Sequence, residues 1–255
     1  MPKRLVWILV GFVLLAFVPV ASAADLRLLT AGAFEQVVRE LVPGFEQRTG
    51  HKVMIDKGTA GALRTRIDGG EAFDVAVITP AAIDPLIKAG KLAAESRTNV
   101  ATVGVGVGVK EGAPKPDIST VDGFKKVLLD AKAVAYIDPK SGGTSGMYVD
   151  KLLERLGIAD QVRPKAKLKQ GGGHAADFVV AGEADIVLQQ MSEIVPVRGV
   201  AVVGPLPAEI QSTTTYTAAI SAQSKSPEAA KQLLVLLSGP DAAALLKAKG
   251  MRPAK

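Results

Sequence analysis

The chain has 255 residues, a net charge of +6 and no cysteine, and only 4% of its residues are aromatic. The lack of cysteine excludes disulfides, thiol catalysis and thiolate metal sites, and so few aromatic rings argue against a nucleic-acid stacking platform. The mild basic excess agrees with an anionic partner without requiring one, and the length suits two lobes of roughly 100 residues each.

In chain order, Lys3 and Arg4, the apolar run Leu5 to Val18 and the small-x-small Ala21-Ser22-Ala23 predict a cleavable export signal over residues 1–23 and a periplasmic destination. Leu26 to Leu29 reads as a strand. Phe34, Val37, Val38, Leu41, Val42 and Phe45 then recur at helical spacing up to a Gly50 stop. Val53 to Ile55, the turn Gly58-Thr59-Ala60-Gly61 and a helix from Ala62 to Ile67 follow. Asp74 to Ile78 is a third strand, running through Thr79-Pro80 into a helix that stops near Gly90. This β-α-β-α-β-α series is the material of a parallel sheet.

Val100 to Val109 is extended, with Gly104, Gly106 and Gly108 interleaved, and reads as a strand passing between lobes. A second set follows: helix 120–130, strand 133–137, helix 149–156, helix 175–181 and strands 185–188 and 200–203. The basic run Arg163 to Lys169 reads as an edge strand or loop. Thr213 to Ile220 is a strong β run able to return to the first lobe, and two helices, 227–237 and 242–249, close the chain. The expectation is an α/β protein of two lobes with central mixed sheets, lobe 1 being 24–101 plus 214–255 and lobe 2 being 102–213. Two extended hinge crossings would join them around a cleft.

The segment Ser141-Gly142-Gly143-Thr144-Ser145-Gly146-Met147-Tyr148 lies between a strand and a helix. Such a turn presents backbone N–H groups and hydroxyls at the positive end of a helix, where small anions bind. Gly58 to Gly61 repeats that grammar. Gly171-Gly172-Gly173-His174 is a third loop before a helix, and Gln189-Gln190 end a strand with neutral amides suited to carboxylates. Arg64 reads as the i,i+4 partner of Asp68, and Tyr148 as packing between helix and sheet.

Taken in order, Leu28 to Phe34, Gly58–Gly61, Phe73 to Val77, Asp138-Pro139 with Ser145 to Tyr148, Gly182 to Val187 and Ser238 to Ala243 resemble a periplasmic binding protein of the type 2 fold, nearest its molybdate-binding branch. The resemblance implies a monomeric receptor without cofactor or metal. It would capture a small anion and deliver it to the membrane permease of an ABC-type importer. Molybdate binders carry a serine where this chain has Ala33, a serine-rich turn where it has Thr59-Ala60-Gly61, and a tyrosine near Leu188 or Gln189. Losing those hydroxyl donors leaves an organic carboxylate or another oxyanion as the expected ligand, with molybdate or tungstate as the alternative.

The expected ligand-binding residues are Ala33, Phe34, Thr59, Ala60, Gly61, Thr79, Gly143, Thr144, Ser145, Gly146, Gly173, His174, Gln189 and Gln190. No enzymatic activity is expected. Gly143-Thr144-Ser145-Gly146-Met147 is superficially like a hydrolase nucleophile elbow, but its fifth residue is methionine, and only His51 or His174 could serve as base.

Overall fold

The structure, a computed structural model, describes residues 23–254. The expected export signal lies outside these residues.

Strands and helices alternate: β1 (Asp25–Ala31), α1 (Gly32–Thr49), β2 (Lys52–Gly58), α2 (Ala60–Asp68), β3 (Val75–Ile78), α3 (Pro80–Lys88), then the long β4 (Thr98–Lys110). The second series is α4 (Val121–Asp130), β5 (Val134–Ile137), α5 (Thr144–Arg155), α6 (Ala159–Val162), β6 (Ala166–Lys169), α7 (Asp177–Val180), β7 (Ile186–Gln190), α8 (Met191–Ile194) and β8 (Val200–Pro205). β9 (Thr213–Ile220), α9 (Pro227–Ser238), α10 (Pro240–Ala248) and β10 (Arg252–Pro253) complete the chain.

Hydrogen bonding orders the sheet β2-β1-β3-β9-β4-β7-β5-β6, with β8 and β10 also on β4. The β1, β2 and β3 pairs are parallel, as are β5 with β6 and β5 with β7, whereas β4 and β9 run antiparallel to their neighbours. Parallel strands covered on both faces read as continuous apolar runs. Accordingly Val75 to Ile78, Val134 to Ile137 and Ile186 to Gln190 are buried throughout. The edge strands β2 and β6 expose lysines, which discourages further strand addition.

β4 divides the sheet. Up to Gly104 it pairs with β9 and β10; from Val105 onward it pairs with β7 and β8. Two large apolar clusters follow that division: one gathers β1, α1, β3, α3, β9 and α9, the other the far end of β4 with α4, β5, α5 and β7. A smaller cluster under α7 and β8 covers the other face of β5 and β7.

The alternate glycines of β4 are explained by contact. A Cβ at Gly106 would stand 2.8 Å from Met191, and one at Gly108 2.9 Å from both Ile194 and Val200. Bare backbone on that face lets the short α8 lie directly on the strand.

Helix α5 begins at Thr144, earlier than the expected Val149, so most of the glycine-rich segment forms its first turn. Gly146 accounts for the close seating of that turn on β5, because a Cβ there would fall 2.1 Å from the Ile137 carbonyl oxygen. Gly146→Ala should therefore lift α5 off β5 and destabilise the fold by about 1–3 kcal/mol or more, measured as a lowered urea midpoint.

Candidate functional site

The carboxyl ends of β1, β2, β5 and β7 open on one small cavity. Its walls are Ala31, Gly32, Ala33, Gly58, Thr59, Ala60, Ile137, Gly143, Thr144, Ser145, Gly172, Gln190, Glu193 and Tyr216, around a volume of about 30 Å³. Ligands of open α/β sheets settle at such strand ends. A larger groove, about 1330 Å³, runs along β4 between residues 115–119, 203–208 and 247–253. Its charged groups, Lys115, Asp117, Lys247 and Arg252, are all exposed, so convergent buried chemistry points to the smaller cavity.

Three helices of nine residues or more begin at the cavity wall: α1, α2 and α5. First-turn N–H groups have no intrahelical acceptor, and the helix dipole adds partial positive charge there. On α2 the Thr59 hydroxyl accepts from the Ala62 N–H at 3.1 Å, an ordinary cap. Neither Ala31 at the start of α1 nor Gly143 at the start of α5 supplies a side-chain cap. Two helix starts thus keep their donors for something else.

The two sides meet at the rim. The Thr59 hydroxyl donates to the Ser141 carbonyl, and the Gly61 N–H donates to the Gly142 carbonyl at 3.2 Å. Gly171, Gly172 and Gly173 have φ of 67°, 92° and 92°, a succession in the left-handed region that glycine alone adopts readily. That path brings Gly172 against Thr59.

Seven of the expected residues line the cavity: Ala33, Thr59, Ala60, Gly143, Thr144, Ser145 and Gln190. The others lie elsewhere, each for a physical reason. Phe34 points into the first core and is fully buried. Gly61 packs on Gly142 at the rim, and Gly146 packs on the Ile137 carbonyl. Thr79 opens α3, away from the lining. Gln190 lines the cavity, whereas the neighbouring Gln189 is not in its lining and turns to the glycine loop. Gln189 accepts from the Ala175 N–H at 2.8 Å and donates to the Gly173 carbonyl at 2.7 Å, pinning the glycine loop. Gly173 stands behind Gly172 in that loop, and the His174 ring bonds the Glu193 carbonyl at 2.8 Å. Arg64 pairs with Asp68 at 3.5 Å on the surface.

The sequence reading missed Ala31, Gly32, Gly58, Ile137, Gly172, Glu193 and Tyr216. Glu193 and Tyr216 matter most. Glu193 is 7% exposed, and burial pushes its carboxyl up to about 8 despite a hydrogen bond from Gln189 and a nearby Lys57; the Glu35 charge adds to the rise. Gly32 makes room for it, since a Cβ there would lie 2.8 Å from Glu193 Oε1. Tyr216 is pushed well above the usual phenol range, by burial first and by Glu193 second, while the Thr144 hydroxyl bonds it. Glu35 is also buried, but Lys57 at 2.9 Å and Arg39 at 2.7 Å outweigh burial and keep its carboxyl below the ordinary value. Gln190 is 1% exposed; its Nε2 donates to Thr214 Oγ1 at 2.8 Å, and its Oε1 has no partner among the described residues.

Glu193 dictates a pH dependence. Below pH 4.5 the carboxyl is protonated in folded and unfolded chains alike. Above that value the unfolded chain ionises while the folded one is held neutral, so this group's contribution falls until about pH 8 and is constant beyond. Glu193→Gln should remove that decline and leave the variant more stable at pH 8 by about 4 kcal/mol. Urea midpoints of both proteins from acid to mildly alkaline pH provide the comparison.

Comparison with known proteins places these features. Residues 26–252 match the family described as bacterial extracellular solute-binding protein. A Pseudomonas protein named aconitate isomerase is 34% identical over 98% of this chain and 97% of its own length. The molybdate-binding protein ModA of Azotobacter vinelandii is 28% identical over 90% of each chain. The solved structure of the Azotobacter vinelandii periplasmic molybdate-binding protein superposes with a TM-score of 0.76 at 23% identity, over 90% of this chain and all of that one. The chain belongs to the bacterial extracellular solute-binding protein family, with the type 2 periplasmic fold of the molybdate-binding proteins.

Proposed function

We propose that the cavity captures a small organic polycarboxylate, a tricarboxylate of the aconitate kind, in the periplasm for an ABC-type importer. One observation carries this reading. Three helix starts converge on a cavity that also holds a buried carboxyl and an unpartnered amide oxygen, Glu193 and Gln190. A fully ionised tetrahedral oxyanion offers acceptors alone and would leave the Gln190 Oε1 unpaired. A polycarboxylate brings acceptors for the helix donors, and a protonated carboxyl on it donates to Gln190 or shares a proton with Glu193. The relative named aconitate isomerase supports the same ligand class.

With a volume of about 30 Å³, the cavity admits such a ligand only when its walls part. The crossings at β4 and at residues 205–213 are the places for that bend, and the rim bonds at Thr59 and Gly61 re-form on closure.

A second reading, in which the bound acid is also isomerised, is favoured by that same relative and by the acidic side chain in an anion cavity.

Thermal-shift and calorimetric titration of the purified protein should compare cis- and trans-aconitate, other mono-, di- and tricarboxylates, molybdate, tungstate, sulfate and phosphate. Aconitate at a hundred times its dissociation constant should stabilise by about 2.7 kcal/mol, with no shift from molybdate or sulfate. A response confined to the tetrahedral anions would replace this reading with an oxyanion receptor.

A further inference from the structure

Among the cavity's lining residues Glu193 is the one acidic side chain, and none is basic. A carboxyl facing a bound anion weakens capture whenever it is ionised, so binding alone uses only its protonated or proton-sharing form. The remaining side chains that can exchange protons are hydroxyls, and Tyr216 is held in its phenol form by burial. One group in the cavity is thus suited to take a proton and give it back.

We propose that Glu193 is the catalytic base of a proton-transfer site, moving a proton between the two ends of an allylic unit in a bound unsaturated polycarboxylate. The inference rests on the polycarboxylate reading above.

The step balances within the site. Ionised Glu193 takes a proton from a methylene carbon lying between a carboxylate and the double bond. The C–H electron pair forms a new C=C to the central carbon. The former double-bond pair moves onto the far carbon and into its carboxylate as a dienolate. Glu193 then returns the proton to that far carbon, a new C–H bond forms, and its carboxylate is regenerated. Neither oxidant nor reductant takes part. In aconitate a CH₂ and a CH flank one central carbon, so the product has the same constitution with its double bond moved, and can be the other geometric isomer.

The surroundings fit this use. First-turn N–H groups of α1 and α5, both without side-chain caps, face the carboxylates on which the dienolate charge collects. Tyr216, bonded to Thr144, is a neutral donor for the same charge. The absence of glycine's side chain at position 32 lets the Glu193 carboxyl sit against the start of α1.

A proton acceptor works best when its pKa lies near the working pH, and about 8 satisfies that condition. The charged and titratable groups against Glu193 are Glu35 on α1 with its partners Lys57 and Arg39, Tyr216 on β9, and the His174 ring, which bonds the Glu193 backbone carbonyl at 2.8 Å. The neutral Gln189 on β7 bonds it.

The test follows cis- and trans-aconitate by proton NMR with the purified protein near pH 8, alongside calorimetry. The wild type should interconvert the isomers, with kcat/KM rising as pH passes through about 8. Glu193→Gln should lower kcat by roughly 10²–10⁴-fold, with binding retained within severalfold and the pH dependence lost. Glu193→Asp, which keeps the carboxylate, should recover part of the rate and the pH profile. Full isomerisation by Glu193→Gln would overturn the assignment. So would a wild type that binds aconitate and leaves its isomers unchanged, in which case the polycarboxylate reading survives alone. Failure of the wild type to bind either isomer removes both.

Discussion

The arrangement depends on one strand taking two sets of partners. β4 is bonded to β9 and β10 along its first half and to β7 and β8 along its second, so the two large apolar clusters grow on either side of a continuous backbone. Its glycines add a second constraint. Because Gly106 and Gly108 present bare backbone to Met191 and Ile194, the turn that follows β7 is pressed flat against β4. That turn carries Glu193. The bare backbone of Gly106 and Gly108 thus helps to place that carboxyl, together with the room left at Gly32 and the bond of the His174 ring to the Glu193 carbonyl.

The electrostatics of the cavity combine two opposite tendencies. Helix starts collect partial positive charge from aligned peptide units, a field suited to an anion and supplied without any cationic side chain in the wall. Burial works the other way on Glu193, because removing water penalises the ionised form more strongly than its neighbours can offset. Glu35, one helix turn into α1, shows the contrast. It is buried as deeply, yet two cations bond it directly and its carboxyl is held low. The same residue type is thus held below its ordinary pKa at one position and above it at the other, decided by whether cations bond it directly.

Much of the fold was legible in the sequence because it is written in short-range pattern. The three βα units at the start, the apolar run before the Ser141 turn, and the β run from Thr213 all come from spacing within about ten residues. Half of the expected site residues line the cavity for the same reason, since a Gly/Ser/Thr turn between strand and helix is a local signal. Glu193 has no such signal. It follows two glutamines, a methionine and a serine in what reads as a polar connector, and its burial is created by Gly32 and β4. Tyr216 carried a faint one: burial alternates from Thr213 to Tyr216, the tyrosine falling on a buried position, and is continuous from there to Ile220. The choice between Gln189 and Gln190 needed strand phase, which the sequence leaves open by one residue at a strand end.

The rim where Gly61 meets Gly142 is backbone against backbone, with a Cβ on Gly61 reaching within 3.0 Å of the Gly142 Cα. The bond there, Gly61 N–H to the Gly142 carbonyl, joins backbone to backbone. Beside it the Thr59 hydroxyl donates to the Ser141 carbonyl, so the rim is joined by one backbone pair and one side chain. Thr59 belongs to both the wall and the rim, so on the proposed reading a change there would alter capture and release together, whereas a side chain at Gly61 or Gly142 would disturb the rim alone.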